Sequence, residues 1–61
     1  MKASNLTKVA KIAKINSKNV IDIQDYLAEV MGYFNIEDSK WDTLSDEYIL
    51  HLCEQYEEEV F

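Results

Sequence analysis

Three stripes of apolar residues, each recurring every three or four positions, run along this chain, and no proline interrupts them. That period belongs to helices that bury one face and wet the other. In the first stripe, Leu6, Val9, Ala10, Ile12 and Ala13 share one side of a helical projection, and Lys8, Lys11 and Lys14 share the other. A strand over residues 8–15 would need a spacing of two, which the apolar positions lack. The expected helix runs from Ser4, as N-cap, to about Ile15, its lysines near the end where the helix dipole favours them. In the second, Val20, Ile23, Leu27, Val30, Met31 and Phe34 line up between Tyr26 and Tyr33, opposite Asp22, Asp25 and Glu29. In the third, Tyr48, Ile49, Leu52, Cys53, Tyr56 and Val60 oppose Glu47, His51, Glu54 and Glu58.

The joints carry their own signals. Asn16-Ser17-Lys18-Asn19 is turn chemistry, with Ser17 or Asn19 as the cap of the second helix. Gly32, the single glycine, is expected to loosen or end that helix. Residues 35–44 form the second joint, holding Trp41 between acids, with room for one helical turn. Ser45 reads as an N-cap with Asp46 and Glu47 in the first turn, and Leu44 and Ile49 have the spacing of a hydrophobic staple.

Three one-faced helices bury their stripes most cheaply around one core. The expected fold is all-α, a compact three-helix domain over residues 1–61, with residues 4–34 arranged like a helix-turn-helix. A chain of 61 residues buries only ~60% of its extended surface and has little stability to give to a strained active site. No apolar run approaches the ~20 residues of a membrane span, and the N-terminus lacks a signal peptide's apolar stretch. Cys53 is the single cysteine, which suits a reducing compartment and a cytoplasmic location. The absence of proline and arginine, with abundant Lys, Asn and Ile, resembles usage in AT-rich genomes, including many phage and low-GC bacterial ones.

Charge is sorted along the chain. Residues 1–18 carry five lysines and no acid, whereas residues 19–61 carry all twelve acids against Lys40, giving a net charge of −6. So small a domain cannot hide these charges, and both poles must face water or a partner. Glu57-Glu58-Glu59 crowds negative charge at a helix C-terminus, where the dipole is also negative, so that end should fray unless a cation or partner meets it.

Around the first joint, the stretch from Lys8 to Leu27 resembles a helix-turn-helix, with Val9, Ala10, Ala13, Ile15, Val20 and Ile23 where that motif packs its two helices. Ser17-Lys18-Asn19-Val20-Ile21, Gly32 and Thr43-Leu44-Ser45-Asp46-Glu47 are similar to features of the N-terminal module of bacterial translation initiation factor 2, over roughly residues 5–52. The resemblance implies a non-catalytic module contacting ribosome or nucleic acid. The chain departs from it on the second helix, where Asp22, Asp25 and Glu29 stand in place of basic or amide side chains.

Two surfaces are therefore candidates. Asp22, Asp25 and Glu29, with Glu47, Glu54 and Glu58, place carboxylates ~5–6 Å apart along helical faces, near the spacing of phosphates on a strand. Trp41 joins them as an exposed anchor, the residue type favoured at interface hot spots, or else caps the core. The first expectation is a small acidic protein that regulates or inhibits a basic, nucleic-acid-binding protein partner, in effect as a DNA mimic. The alternative is DNA or RNA binding through Lys8, Lys11, Lys14, Ser17, Lys18 and Asn19. Self-association, the basic pole of one copy meeting the acidic region of another, is a third.

No enzyme is expected. His51 has only Glu47 and Glu54 beside it on an open face, too few ligands for a metal site. Cys53 lies on an apolar stripe with no base to form its thiolate. There is no glycine-rich phosphate loop and no catalytic-triad arrangement, so neither cofactor nor metal is implied.

Overall fold

A computed structural model describes residues 3–60, so Lys2 of the basic pole lies outside the described residues. The three stripes become three helices, α1 (Ala3–Ala13), α2 (Val20–Tyr33) and α3 (Asp46–Val60), with a 3-10 segment at Asp38–Thr43 before the last. No strand occurs among the described residues. The radius of gyration, 10.6 Å, matches the ~10.5 Å of a folded chain this long.

Two of the three helix starts follow from capping chemistry. Asn19 caps α2, its side-chain carbonyl accepting the Asp22 N–H at 3.3 Å while its amide donates to the Asp22 carboxylate at 2.7 Å. Of the two cap residues open in the sequence, Asn19 is thus the one used. Ser45 caps α3 by accepting the Tyr48 N–H at 3.2 Å, and Leu44 beside it packs on the core that holds Ile49. The expected cap at Ser4 is corrected, because Ser4 is itself helical, within α1 (Ala3–Ala13).

Two helix ends share one device. Lys14, at φ 60°, turns the chain so that Ile15 N–H bonds to Ala10 C=O at 2.9 Å and Lys14 N–H to Lys11 C=O at 3.4 Å. Asn35, at φ 56°, repeats the pattern, with Ile36 N–H to Met31 C=O at 2.9 Å and Asn35 N–H to Gly32 C=O at 3.2 Å. These paired bonds satisfy the last carbonyls of each helix, and glycine normally supplies the left-handed residue. Here a lysine and an asparagine do so, and α1 stops at Ala13 rather than at Ile15.

Of the two roles expected of Gly32, loosening or ending α2, the second is not its own: it stands in the last turn, one residue before the helix ends at Tyr33. It has no positive φ, and a Cβ added there would meet nothing within 4 Å. Its conformational freedom is therefore only a cost. Gly32→Ala should stabilise the protein by about 0.5–1 kcal/mol, read as a raised urea midpoint at unchanged m-value. A lowered midpoint would contradict this placement.

The core draws Val9 and Ala10 from α1, Ile23, Leu27, Val30 and Met31 from α2, and Ile49, Leu52 and Cys53 from α3, with no buried polar residue among them. Trp41, carried by the 3-10 segment, is half-buried against this cluster, as are Leu6, Phe34 and Tyr56. Val20, Tyr48 and Val60 belong by phase to the buried stripes but are 45%, 46% and 43% exposed. All three sit in terminal turns, where a stripe runs past the helices it packs on.

Candidate protein-binding surface

The α2 carboxylates stand where the stripe pattern puts them. Asp22, Asp25 and Glu29 are all exposed, because Ile23, Leu27, Val30 and Met31 turn the opposite side of the helix into the core. On α3, Glu47, Glu54 and Glu58 are exposed in the same way. Of these, Asp22 is engaged internally by the Asn19 cap. Trp41 stands on the 3-10 segment, partly buried against the core.

Lys8, Lys11, Lys14 and Lys18 are also exposed, and among the described residues none of them is ion-paired. The basic and acidic segments nevertheless meet in space, Lys8 beside Asp46 and Glu47 and Lys14 beside Glu29 and Glu57. In the first joint, Lys18 N–H donates to the Asn16 side chain at 2.9 Å, Ser17 is exposed, and both ends of the Asn19 amide are occupied by Asp22.

The acidic end of α3 meets partners that helical phase does not reveal. The helix continues to Val60, and the Tyr26 hydroxyl donates to Glu57 at 3.1 Å across the α2–α3 contact. Tyr26 and Tyr56 pack edge-to-face with centroids 5.8 Å apart, and Tyr33 meets Tyr56 at 5.3 Å. Burial, then Cys53, then the bond to Glu57 push the Tyr26 phenol well above its ordinary range. The Tyr33 phenol is also pushed up, first by the charge of Glu59 and then by desolvation. A phenolic O–H, that of Tyr26, therefore supplies Glu57 with its hydrogen-bond donor.

Two clefts open between the helices. One, of about 310 Å³, is lined by Ala13, Lys14, Tyr26, Glu29, Tyr56 and Glu57. It brings Glu29, a candidate from the sequence, together with Glu57, which by sequence alone belongs only to a fraying end. The signal that could have found it is the pair Tyr26 and Tyr56 on the borders of two stripes, which marks where two helix edges meet. The other, of about 550 Å³, is lined by Asn5, Lys8, Ser45, Asp46, Glu47 and Leu50. Three of its polar groups have structural tasks: Asn5 donates to Asp46 at 2.7 Å, tying α1 to α3, and Ser45 is the α3 cap.

His51 is exposed on α3. Among the described residues no group of three or more His, Cys, Asp or Glu side chains is placed to hold a metal ion. The Cys53 side chain is fully buried, and burial, followed by the charges of Glu57 and Glu54, raises its thiol to about 11. A thiol so shifted is a poor nucleophile at neutral pH. No described helix is long and apolar enough to cross a membrane. Comparison with known proteins finds no matching family model, no matching curated protein and no matching solved structure.

Proposed function

We propose that this chain is a small non-catalytic binding protein of the cytoplasm, which regulates or inhibits a basic protein through the acidic faces of α2 and α3. One observation carries the reading. Asp25, Glu29, Glu47, Glu54 and Glu58 are exposed, and Asp25, Glu54 and Glu58 line neither of the clefts that Lys8 and Lys14 enter. An acidic field of this kind steers a complementary surface, raising association rates by about 10–10³-fold at low salt. Carboxylates at helical spacing also offer a phosphate-like row, so a nucleic-acid-binding protein is the preferred kind of target.

The test begins with capture from lysate at low and high salt, followed by kinetics with the purified captured protein. The Asp22→Asn, Asp25→Asn, Glu29→Gln variant and the Glu54→Gln, Glu58→Gln variant should each keep the helical circular dichroism of the parent. Each should associate about tenfold more slowly at low ionic strength, with the difference shrinking as salt rises. Unchanged rates for both variants would reduce the carboxylates to solvation.

The exposed, unpaired lysines of α1 favour a second reading, contact with DNA or RNA through Lys8, Lys11, Lys14, Ser17, Lys18 and Asn19, as the likeness to initiation factor 2 implies. Its obstacle is local. Asn19 is already bonded to Asp22, and Asp22 follows Lys18 by only four residues across that cap, so its charge opposes a phosphate gripped there, being weakly screened within the ~10 Å Debye length. No binding of duplex or single strand is expected at about 50 mM salt. If binding is found, Lys8→Gln, Lys11→Gln, Lys14→Gln should abolish it and flatten the log–log salt slope by about three.

A further inference from the structure

The 310 Å³ cleft is at the lower end of the ~300–1,000 Å³ range of ligand pockets, with room for one side chain rather than a cofactor. Its walls are two tyrosine rings, the Ala13 methyl, two carboxylates and one lysine. The ring of Tyr26 is braced against that of Tyr56, and Glu57 is oriented by the Tyr26 hydroxyl. Lys14 reaches the rim from a backbone held at φ 60° and forms no ion pair there. One cation against two carboxylates leaves the cleft negative. An anion is therefore excluded, and a neutral apolar group would strand the carboxylates' hydrogen-bonding capacity.

We propose that this cleft receives an arginine side chain of the protein partner, its guanidinium bonded to Glu29 and Glu57 and lying against the Tyr26 and Tyr56 rings. Guanidinium suits the lining better than ammonium. It offers five donors in a planar fork, enough for two carboxylates at once, it stacks on aromatic faces, and it sheds water more readily. The inference rests on the reading that the partner is basic, and it names the point where that partner is anchored. A second copy of this chain cannot be the occupant, because the sequence contains no arginine.

The test uses N-acetylarginine amide as the probe, titrated into the full chain at about 10 mM ionic strength, where screening is weak, and followed by amide chemical shifts. Saturable shifts centred on Ala13, Tyr26, Glu29, Tyr56 and Glu57 are expected, and N-acetyllysine amide should bind more weakly. Glu29→Gln, Glu57→Gln should weaken binding about tenfold, the scale of losing a charge-assisted bond. The Glu57→Gln change leaves a carbonyl to accept from the Tyr26 hydroxyl, so the fold should survive. Lys14→Gly should tighten binding severalfold, since it removes the competing cation and suits the left-handed position. Shifts that never saturate, that spread equally over Asp25, Glu54 and Glu58, or that are unmoved by Glu29→Gln, Glu57→Gln would overturn the proposal. If the probe fails while the acidic-face variants still slow association with the captured protein, the anchor alone is wrong. If both fail, the acidic reading falls with it.

Discussion

Leu27→Ala is expected to leave a substantial share of the molecules unfolded in water at room temperature. Leu27 is 1% exposed at the centre of the α2 stripe, packed among Ile23, Val30 and Met31 of its own helix and the core residues of α1 and α3. Truncating such a side chain costs about 2–5 kcal/mol, from lost transfer energy and from the cavity left behind. A domain of 61 residues has roughly 3–9 kcal/mol in total, at 0.05–0.15 kcal/mol per residue. The loss is thus comparable to the whole, and with a single cysteine in the chain no internal disulfide offsets it. Urea denaturation followed by circular dichroism should show a pre-transition baseline shortened or absent. Ile21→Ala is the control, since Ile21 is 71% exposed on the same helix and should shift stability by no more than about 0.5 kcal/mol. Equal losses from the two substitutions would mean that α2 does not bury the face assigned to it.

That contrast also shows why the fold is legible in the sequence. Burial in a three-helix domain is decided by angular position on each helix, and angular position follows from residue number at 3.6 residues per turn. Residue number alone therefore places Ile23, Leu27, Val30 and Met31 inside. It also finds the Ser45 cap, which depends only on a hydroxyl next to a helix start. The errors fall at helix ends. Val20, Tyr48 and Val60 have the right phase but sit where no neighbouring helix covers them, and overhang depends on how helices cross. Gly32 misleads because glycine's freedom invites a helix end. The end is set just beyond it by Asn35 taking a left-handed conformation, a choice dictated by the bonds it completes.

The acidic surface divides in the same way. Asp22, Asp25, Glu29, Glu47, Glu54 and Glu58 are legible because exposure is the default for a carboxylate opposite an apolar stripe. The juxtaposition of Glu29 with Glu57 is not. These residues are 28 positions apart, on different helices, and only the α2–α3 packing fixes their shared cleft with Tyr26 and Tyr56. Crowding at Glu57-Glu58-Glu59 looks like a liability because the sequence hides that Tyr26 supplies Glu57 with a donor. Helix phase reveals faces, whereas sites formed between faces need the crossing geometry.

A steep loss of stability is expected as pH rises from about 9 to 11, and Cys53 should set its onset. The thiol is raised from 9.0 to about 11, chiefly by burial. In the unfolded chain it ionises near its ordinary value, whereas in the folded protein it keeps its proton until the higher pH. Its contribution is therefore fully present below about pH 9 and lost as pH climbs through the folded value. The slope approaches ~1.4 kcal/mol per pH unit while only the unfolded state releases the proton. Over this window the loss is of order 2–3 kcal/mol, a large part of the stability of so small a domain. Tyr26, also raised by burial from 10.0, adds a second proton of the same sign above about pH 10. Urea midpoints across this range should fall for the parent, and Cys53→Ala, though less stable at neutral pH, should lose less between pH 9 and 10. Thiol alkylation at pH 8 should likewise proceed only through opening, and accelerate in proportion when Leu27→Ala raises the open population. If parent and Cys53→Ala decline in parallel from pH 9, the thiol is not held protonated by burial in the core.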